Sequence, residues 1–436
     1  MKYIILVFSV FLTYSVYGQE YSKISGEVIN NDTKKAVEFA SVSIQGTFIG
    51  VVTNEVGKFE LKFPENLLND TLVFSNIGYK TYRQPIKEYI SKGYTSIKLQ
   101  AEDYKIGEVF IMPEAKHPEL IVKNAIKSIK ENYPRNSYYL EIFFRETEYN
   151  HNKFLRLTEA AIGIQDFGFD SNVERSRIKL LELRKSNDYL EYGTSWKILN
   201  KLFGDRNILY ETYYKDILRA YKTNELSPSG LKKPNSLDIK SMKYYDYSLQ
   251  DIIYQDSSLI YVIDYKPKNI KTLNDKRPLI DIKGTLYIKK FDYAIVKLTA
   301  NYFLNGKHFN GYDNGSNFII NYRKIKGKYY LNYLKQISSY HGTPSYTDEN
   351  SVQISQYTKS SFYVTNIYTT KKEYARVRHR EKQQKEIDLY KKEIPYNDTF
   401  WNRYNAVLRN PLIKKVQSDL EKEKKLDEQF KDNGKN

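Results

Sequence analysis

The sequence predicts a mainly β chain, α+β overall. An antiparallel β-sandwich comes first, then a curved antiparallel sheet with flanking helices and a charged helical C-terminus. Three observations predict this. Short β-patterned runs recur at near-regular spacing through residues 24–86. Alternating runs rich in Tyr, Ile and Val fill much of 138–370, broken by turn residues. Mixed charges at helical spacing occupy 371–394 and 411–431. A strand alternates its side chains between two faces, and each reversal calls on Gly, Asn, Asp or Pro, so this punctuation is what stacked or meandering strands require.

The opening MKYIILVFSVFLTYSVYGQ sets Lys2 before an apolar run from Ile4 to Leu12, with Val16 and Gly18 ahead of Gln19. That is the pattern of a secretory signal peptide, taken as residues 1–18, and it implies export. The run falls short of the ~20 residues of a bilayer span, and no later apolar stretch approaches ~18, so no transmembrane helix is expected. The chain has no Cys, which excludes disulfides, thiolate metal sites, thiol catalysis and a lipidated cysteine anchor. Its 436 residues call for more than one domain. Net charge is +17, unevenly spread: residues 19–111 hold 11 Lys and Arg against 12 Asp and Glu, and 112–436 carry +17. In an exported protein such a basic region suits an anionic lipid, a polysaccharide or an envelope protein, not nucleic acid. The 42 Tyr, with abundant Lys, Asn and Ile, also fit the codon bias of an AT-rich genome.

Within the first region, Ser25–Ile29, Ala40–Ile44, Lys58–Phe63 and Thr71–Ser75 read as strands, and Gly46, Gly50, Gly57 and Gly78 as reversals needing positive φ. The order Gly26-x-Val28, Ala40-Ser41-Val42, Gly46-Thr47, Thr53-Asn54-x-x-Gly57-x-Phe59 and Ile77-Gly78-Tyr79 resembles the carboxypeptidase regulatory-like domain over about residues 22–100. The resemblance implies a prealbumin-like sandwich. Asn54 stands where that family usually has Asp, and an Asn side chain can brace the same turn. The domain is assigned residues 19–111.

Residues 101–116 read as a last strand and linker. In HPELIVKNAIKSIKENYP, Pro118 suits the first helical position, and Val122, Ala125, Ile126, Ile129 and Tyr133 form one apolar stripe closed by Pro134. Strands follow from Tyr138. Asn132-Tyr133-Pro134, Phe144-Arg145-Glu146, Glu159-Ala160 and the late Phe400-Trp401-Asn402-Arg403-Tyr404-Asn405 resemble exported proteins in which a regulatory-like module precedes an uncharacterised β-rich domain. That resemblance implies architecture rather than an activity. Leu180–Arg184 and Trp196–Phe203 are short apolar or helical candidates, and LSPSGLKKPNS a loop. Asn305-Gly306, Asp313-Asn314-Gly315 and Lys326-Gly327-Lys328 mark hairpins. The run Gly284–Ile288 with Asp292–Ile295 resembles meander strands of lipoprotein-carrier-like proteins, where a curved sheet wraps a hydrophobic cavity. An outer-membrane barrel fits less well, because Lys and Asn recur on both faces of the strands. The second domain is assigned 112–370, with a charged helical tail, 371–436, packing on it. In that tail Asn410 and Pro411 make a helix start.

For chemistry the chain offers little. His117, His151, His308, His341 and His379 form no His-Glu-x-x-His or His-x-x-Glu pair, so the peptidase ligands that accompany this module elsewhere are absent. No nucleophile elbow, phosphate loop or dinucleotide fingerprint occurs. Glu146/Glu148 and Glu182/Glu191 are carboxylate pairs without ordered context. Tyr329, Tyr330, Tyr333 and Tyr340 are candidates for stacking on sugars. No catalytic residue, cofactor or metal is expected. Arg145, Glu146, Glu159 and Trp401 are the candidate structural or binding residues, with Arg145 and Glu159 pairing across strands and the set tying sheet to C-terminal helix. The reading is a non-enzymatic envelope protein of the periplasm or outer-membrane surface, for binding or assembly, whose basic second domain contacts an anionic component or a protein. A carrier of a hydrophobic ligand in a half-barrel and a glycan or peptide hydrolase are the alternatives.

Overall fold

The computed structural model describes residues 20–102, 116–150, 153–189, 218–219, 236–256, 258–268, 280–304, 313–342, 354–370, 372–373, 389, 392–408 and 418–433. The leader, most of the linker, Trp196–Phe203, the LSPSG loop, Asn305-Gly306 and Asn410-Pro411 lie outside them.

The first domain has seven strands: β1 (Tyr21–Asn30), β2 (Ser41–Ile44), β3 (Gly50–Val52), β4 (Lys58–Pro64), β5 (Thr71–Ser75), β6 (Tyr82–Pro85) and β7 (Ser96–Leu99). Helix α1 (Ile86–Ser91) links the last two. They form sheets ordered β4-β1-β7 and β3-β2-β5-β6. All pairs are antiparallel except β1 with β7. Alternate residues Ile24, Val28, Val42, Ile44, Phe59, Leu61, Phe63, Leu72 and Phe74 fill the space between the sheets, as the period of two demands. Asn54 does brace its turn, its Oδ1 accepting from Val56 N at 3.1 Å and Lys58 N at 2.9 Å. Gly46, Gly57 and Gly78 take positive φ; Gly50 does not, and instead opens β3.

The second domain is one ten-stranded sheet. Its strands are β8 (Tyr138–Asn150), β9 (Lys153–Asp166), β10 (Arg177–Lys185), β11 (Tyr245–Gln255), β12 (Ser258–Pro267), β13 (Ile280–Lys289), β14 (Ile295–Leu304), β15 (Asp313–Ile325), β16 (Lys328–Gly342) and β17 (Ile354–Tyr368). The order is β10-β9-β8-β17-β16-β15-β14-β13-β12-β11, open between its end strands and antiparallel throughout. The last strand thus closes against the first.

One open sequence reading is settled here and one expectation fails. Leu180–Arg184 belongs to β10, because its edge pairs with β9 and a bulge between Leu180 and Glu182 lets Ile178 and Leu183 both face inward. Short apolar runs do not distinguish strand from helix by periodicity alone. Asp313-Asn314-Gly315 is the start of β15, paired with His341, Tyr340 and Ser339; pairing with a long neighbour overrides local turn chemistry. The Lys326-Gly327 turn is as expected, with φ of 48° and 82°.

Both faces of the sheet are covered. On one, α2 (Pro118–Lys127) and α3 (Ile129–Asn132) bury Ile121, Val122, Ala125, Ile126 and Ile129 against Leu140, Ile142, Phe144, Ile162, Leu286 and Leu298. The Tyr133 hydroxyl then donates to Ile295 O at 2.7 Å and fixes the end of the helical pair. On the other face, Phe143, Ala161, Tyr333 and Tyr363 meet Phe39 and Val52 of the sandwich. Trp401 of α4 (Asp398–Arg403) joins them, with Tyr404 and Val407. A last helix, α5 (Leu426–Asp432), packs Leu426 and Phe430 near Leu157. No helix of the described residues is long and apolar enough to cross a membrane.

Candidate functional site

Arg145, Glu159 and Arg184 occupy directly opposed positions on β8, β9 and β10. Strand pairing alone therefore sets the three in a row. Arg145 Nε donates to Glu159 Oε1 at 2.7 Å and Arg184 Nε to Oε2 at 2.6 Å. Glu159 is completely buried. The desolvation cost of a buried carboxylate is offset when charge-assisted hydrogen bonds grip both its oxygens. The second donor edge of Arg145 reaches Val407 O at 2.6 Å. Arg184 lies over the Trp401 ring at 4.1 Å and the Phe430 ring at 5.3 Å. Three of the four predicted residues thus form one clamp that ties the sheet to the C-terminal segment. Glu146 is elsewhere: being next to Arg145 in a strand it points to the opposite face, where Ser360 Oγ donates to it at 2.6 Å. Its neighbour Glu148 pairs with Arg156 at 2.7 Å, and Arg156 also reaches Asp188 at 2.8 Å.

Further contacts fasten the sandwich to the rest of the chain. The Asn405 side chain pairs with the backbone of β4, accepting from Lys62 N at 2.7 Å and donating to Lys62 O at 2.9 Å. It occupies the outer edge of that strand, one of the edges on which a partner strand would add. Lys359 pairs with Glu55, and Asp256 accepts from Thr81 N at 2.8 Å and Thr81 Oγ1 at 2.6 Å.

Two clefts open along this junction. The first, about 410 Å³, lies between β2 and β5 of the sandwich and β13–β16 of the sheet. Its walls carry Arg83, Lys289, Arg323, Lys324 and Lys326 against Asp256. Burial pushes the Arg323 guanidinium down to about 10 and lowers Lys289 as well. The second, about 650 Å³, is bounded by Lys62 and Pro64, by Glu141 and Tyr368, and by Phe400–Asn405. Burial raises the Glu141 carboxyl to about 7, opposed by a hydrogen bond with Tyr368. Tyr139, Tyr368 and Tyr404 surround that carboxyl, and its charge adds to the burial that raises all three phenols.

The tyrosines expected to stack on sugars are packing residues. Tyr329, Tyr330 and Tyr333 are buried, and Tyr133 and Phe48 pack on the first two; the Tyr340 side chain lies outside the described residues. His117 is exposed beside Glu119 at 3.3 Å. No group of three or more metal-ligating side chains occurs among the described residues. Sequence reasoning missed Glu141, Lys289 and Arg323. A signal existed for the first: Glu141 is the lone acid inside the apolar run YYLEIFF. For the two cations there was none, since Lys and Arg recur on both strand faces.

Residues 24–111 match the family described as the CarboxypepD_reg-like domain. No curated protein matches the chain. Among solved structures, the chain is similar to a DUF1329 family protein from Desulfovibrio piger, with 12% identity, 60% of this chain and 97% of that one covered, and a TM-score of 0.25. It is also similar to a LolA superfamily protein from Nitrosomonas europaea, with 11% identity, coverages of 58% and 93%, and a TM-score of 0.22. The protein carries a CarboxypepD_reg-like domain at residues 24–111, followed by a ten-stranded open antiparallel sheet.

Proposed function

We propose that the protein is a non-enzymatic binding protein of the cell envelope, whose basic second domain holds an anionic envelope component at its junction with the sandwich. The observation that carries this is the first cleft. Arg83, Lys289, Arg323, Lys324 and Lys326 line it, against Asp256 as the one carboxylate among its described lining residues. An excess of partly desolvated positive charge in a cleft is costly to maintain and marks candidate binding sites. The +17 carried after residue 111 supports the same sign of partner. Export rests on the leader pattern of residues 1–18.

The carrier alternative has less support, because α2 and α3 fill the sheet face on which an acyl chain would lie. The hydrolase alternative is weakened by the fate of its carboxylates: Glu146 and Glu148 are engaged by Ser360 and Arg156.

Co-sedimentation with vesicles tests the reading. Binding to phosphatidylglycerol vesicles, or retention on an acidic polysaccharide, is expected at low salt and is expected to fall as ionic strength rises. Equal binding to neutral and anionic surfaces, or none to either, would overturn it.

A further inference from the structure

Arg323 and Lys289 enter the 410 Å³ cleft from β15 and β13. Arg323 is tethered at one corner, Nη2 donating to Phe48 O at 2.8 Å. Its Nε is fully enclosed and has no acceptor among the described residues. Gly50 leaves space for this group: a Cβ there would sit 2.6 Å from Arg323 Nη1. The two acids nearest Lys289 are already engaged. Asp256 accepts both Thr81 donors, and Asp292 accepts from Lys324 at 3.0 Å and Tyr329 at 3.1 Å. Ser43 lines the opposite, sandwich wall. The cleft therefore presents a tethered planar donor, an ammonium and a hydroxyl from three strands of two domains.

We propose that this cleft binds a phosphoryl group with two negative charges, a phosphate monoester, bridged between Arg323 and Lys289. The described walls of the cleft carry five cations, Arg83, Lys289, Arg323, Lys324 and Lys326, against the single carboxylate of Asp256, an excess that favours a compact group with two negative charges. A guanidinium edge matches two oxygens of a tetrahedral oxyanion, and an ammonium takes a third. The remaining volume accommodates the moiety that bears the phosphate. The proposal rests on the reading of the protein as a binder of an anionic envelope component, and it names the chemical group recognised.

The test has two arms. Inorganic phosphate is titrated into the intact protein at constant ionic strength, with chloride as control, following the melting temperature and the NMR signal of the Arg323 Nε–H. A saturable response is expected, and Arg323→Met and Lys289→Met should each weaken it about tenfold or more, the worth of one charge-assisted hydrogen bond. The Lys289 ammonium makes no hydrogen bond or ion pair among the described residues, so its variant should fold even if the Arg323 variant does not. In the second arm, vesicles of phosphatidic acid are compared with phosphatidylglycerol at equal surface charge. Preference for phosphatidic acid assigns the phosphate to a lipid headgroup. Phosphate binding without vesicle binding assigns it to a soluble monoester and refutes the membrane reading alone. No saturable phosphate response, or wild-type phosphate affinity in Lys289→Met, would overturn the site. Salt-sensitive binding to anionic vesicles that survives both substitutions would leave the general reading standing without it.

Discussion

Arg145 Nε lies 2.7 Å from the Glu159 carboxylate, and Glu159 has no exposure to solvent at all. Removing the acid would leave two guanidinium groups, those of Arg145 and Arg184, facing each other without compensation. Glu159→Ala is therefore expected to cost about 3–5 kcal/mol, and more than either arginine substitution, since one arginine remains when the other is removed. Urea unfolding of the three variants measures this. An Arg145 variant as damaged as the Glu159 variant would contradict the shared grip.

Trp401 fills the space over Arg184 and stands edge-on to Phe143, with centroids 6.4 Å apart. Its indole Nε1 is buried without an acceptor among the described residues. Trp401→Ala should cost about 3–5 kcal/mol through lost burial. Trp401→Phe should be much milder, because the N–H it removes has no acceptor among the described residues. Thermal denaturation decides: near-equal losses would mean that the indole N–H has a partner after all.

The Glu141 carboxyl makes stability depend on pH in an unusual direction. Its folded value is about 7 against an ordinary 4.5. Between these values the folded chain holds a proton that the unfolded chain has released. The number of protons bound is larger in the native state, so stability falls as pH rises through this window and is fully present only below about 4.5. Glu141→Gln should remove that fall. Stability of wild type minus variant, followed by chemical denaturation from pH 4.5 to 8, should decline with pH. A flat difference would show that the carboxyl titrates normally.

Gly163 of β9 lies under the Tyr139 ring, and a Cβ at that position would overlap the phenol carbon and oxygen far inside van der Waals contact. Gly163→Ala should destabilise by about 1–3 kcal/mol through overpacking. Tyr139→Phe should not relieve it, since the ring carbon collides as well as the hydroxyl. Tyr139→Leu should relieve part of it. A double-mutant cycle measures the coupling, and an uncoupled pair would refute the contact.

Much of the fold was legible locally. The Gly57 turn braced by Asn54, the Lys326-Gly327 hairpin and the stripe of Val122, Ala125 and Ile126 each depend on residues within one or two turns of one another. The candidate site was legible only where strand neighbours meet. Arg145 opposite Glu159 is a register relation between adjacent strands, whereas Arg184 joins through a bulge that no local pattern announces. Asp313-Asn314-Gly315 misled because turn chemistry yields to pairing with a longer strand. Lys289 and Arg323 stand 34 positions apart in a chain rich in lysine, so nothing marked them as facing one cleft.

By itself, then, the sequence determined the sandwich, the meander of long strands and the pairing of Arg145 with Glu159, because period-two burial and turn residues act over short distances. Only the tertiary structure decided which charges lose water. Packing of the sandwich against the sheet encloses Arg323 Nε without an acceptor among the described residues, and packing of the C-terminal segment on β8 and β17 sinks Glu141 among three tyrosines. Desolvation depends on what packs against a side chain from distant parts of the chain, and that is not written in its neighbours.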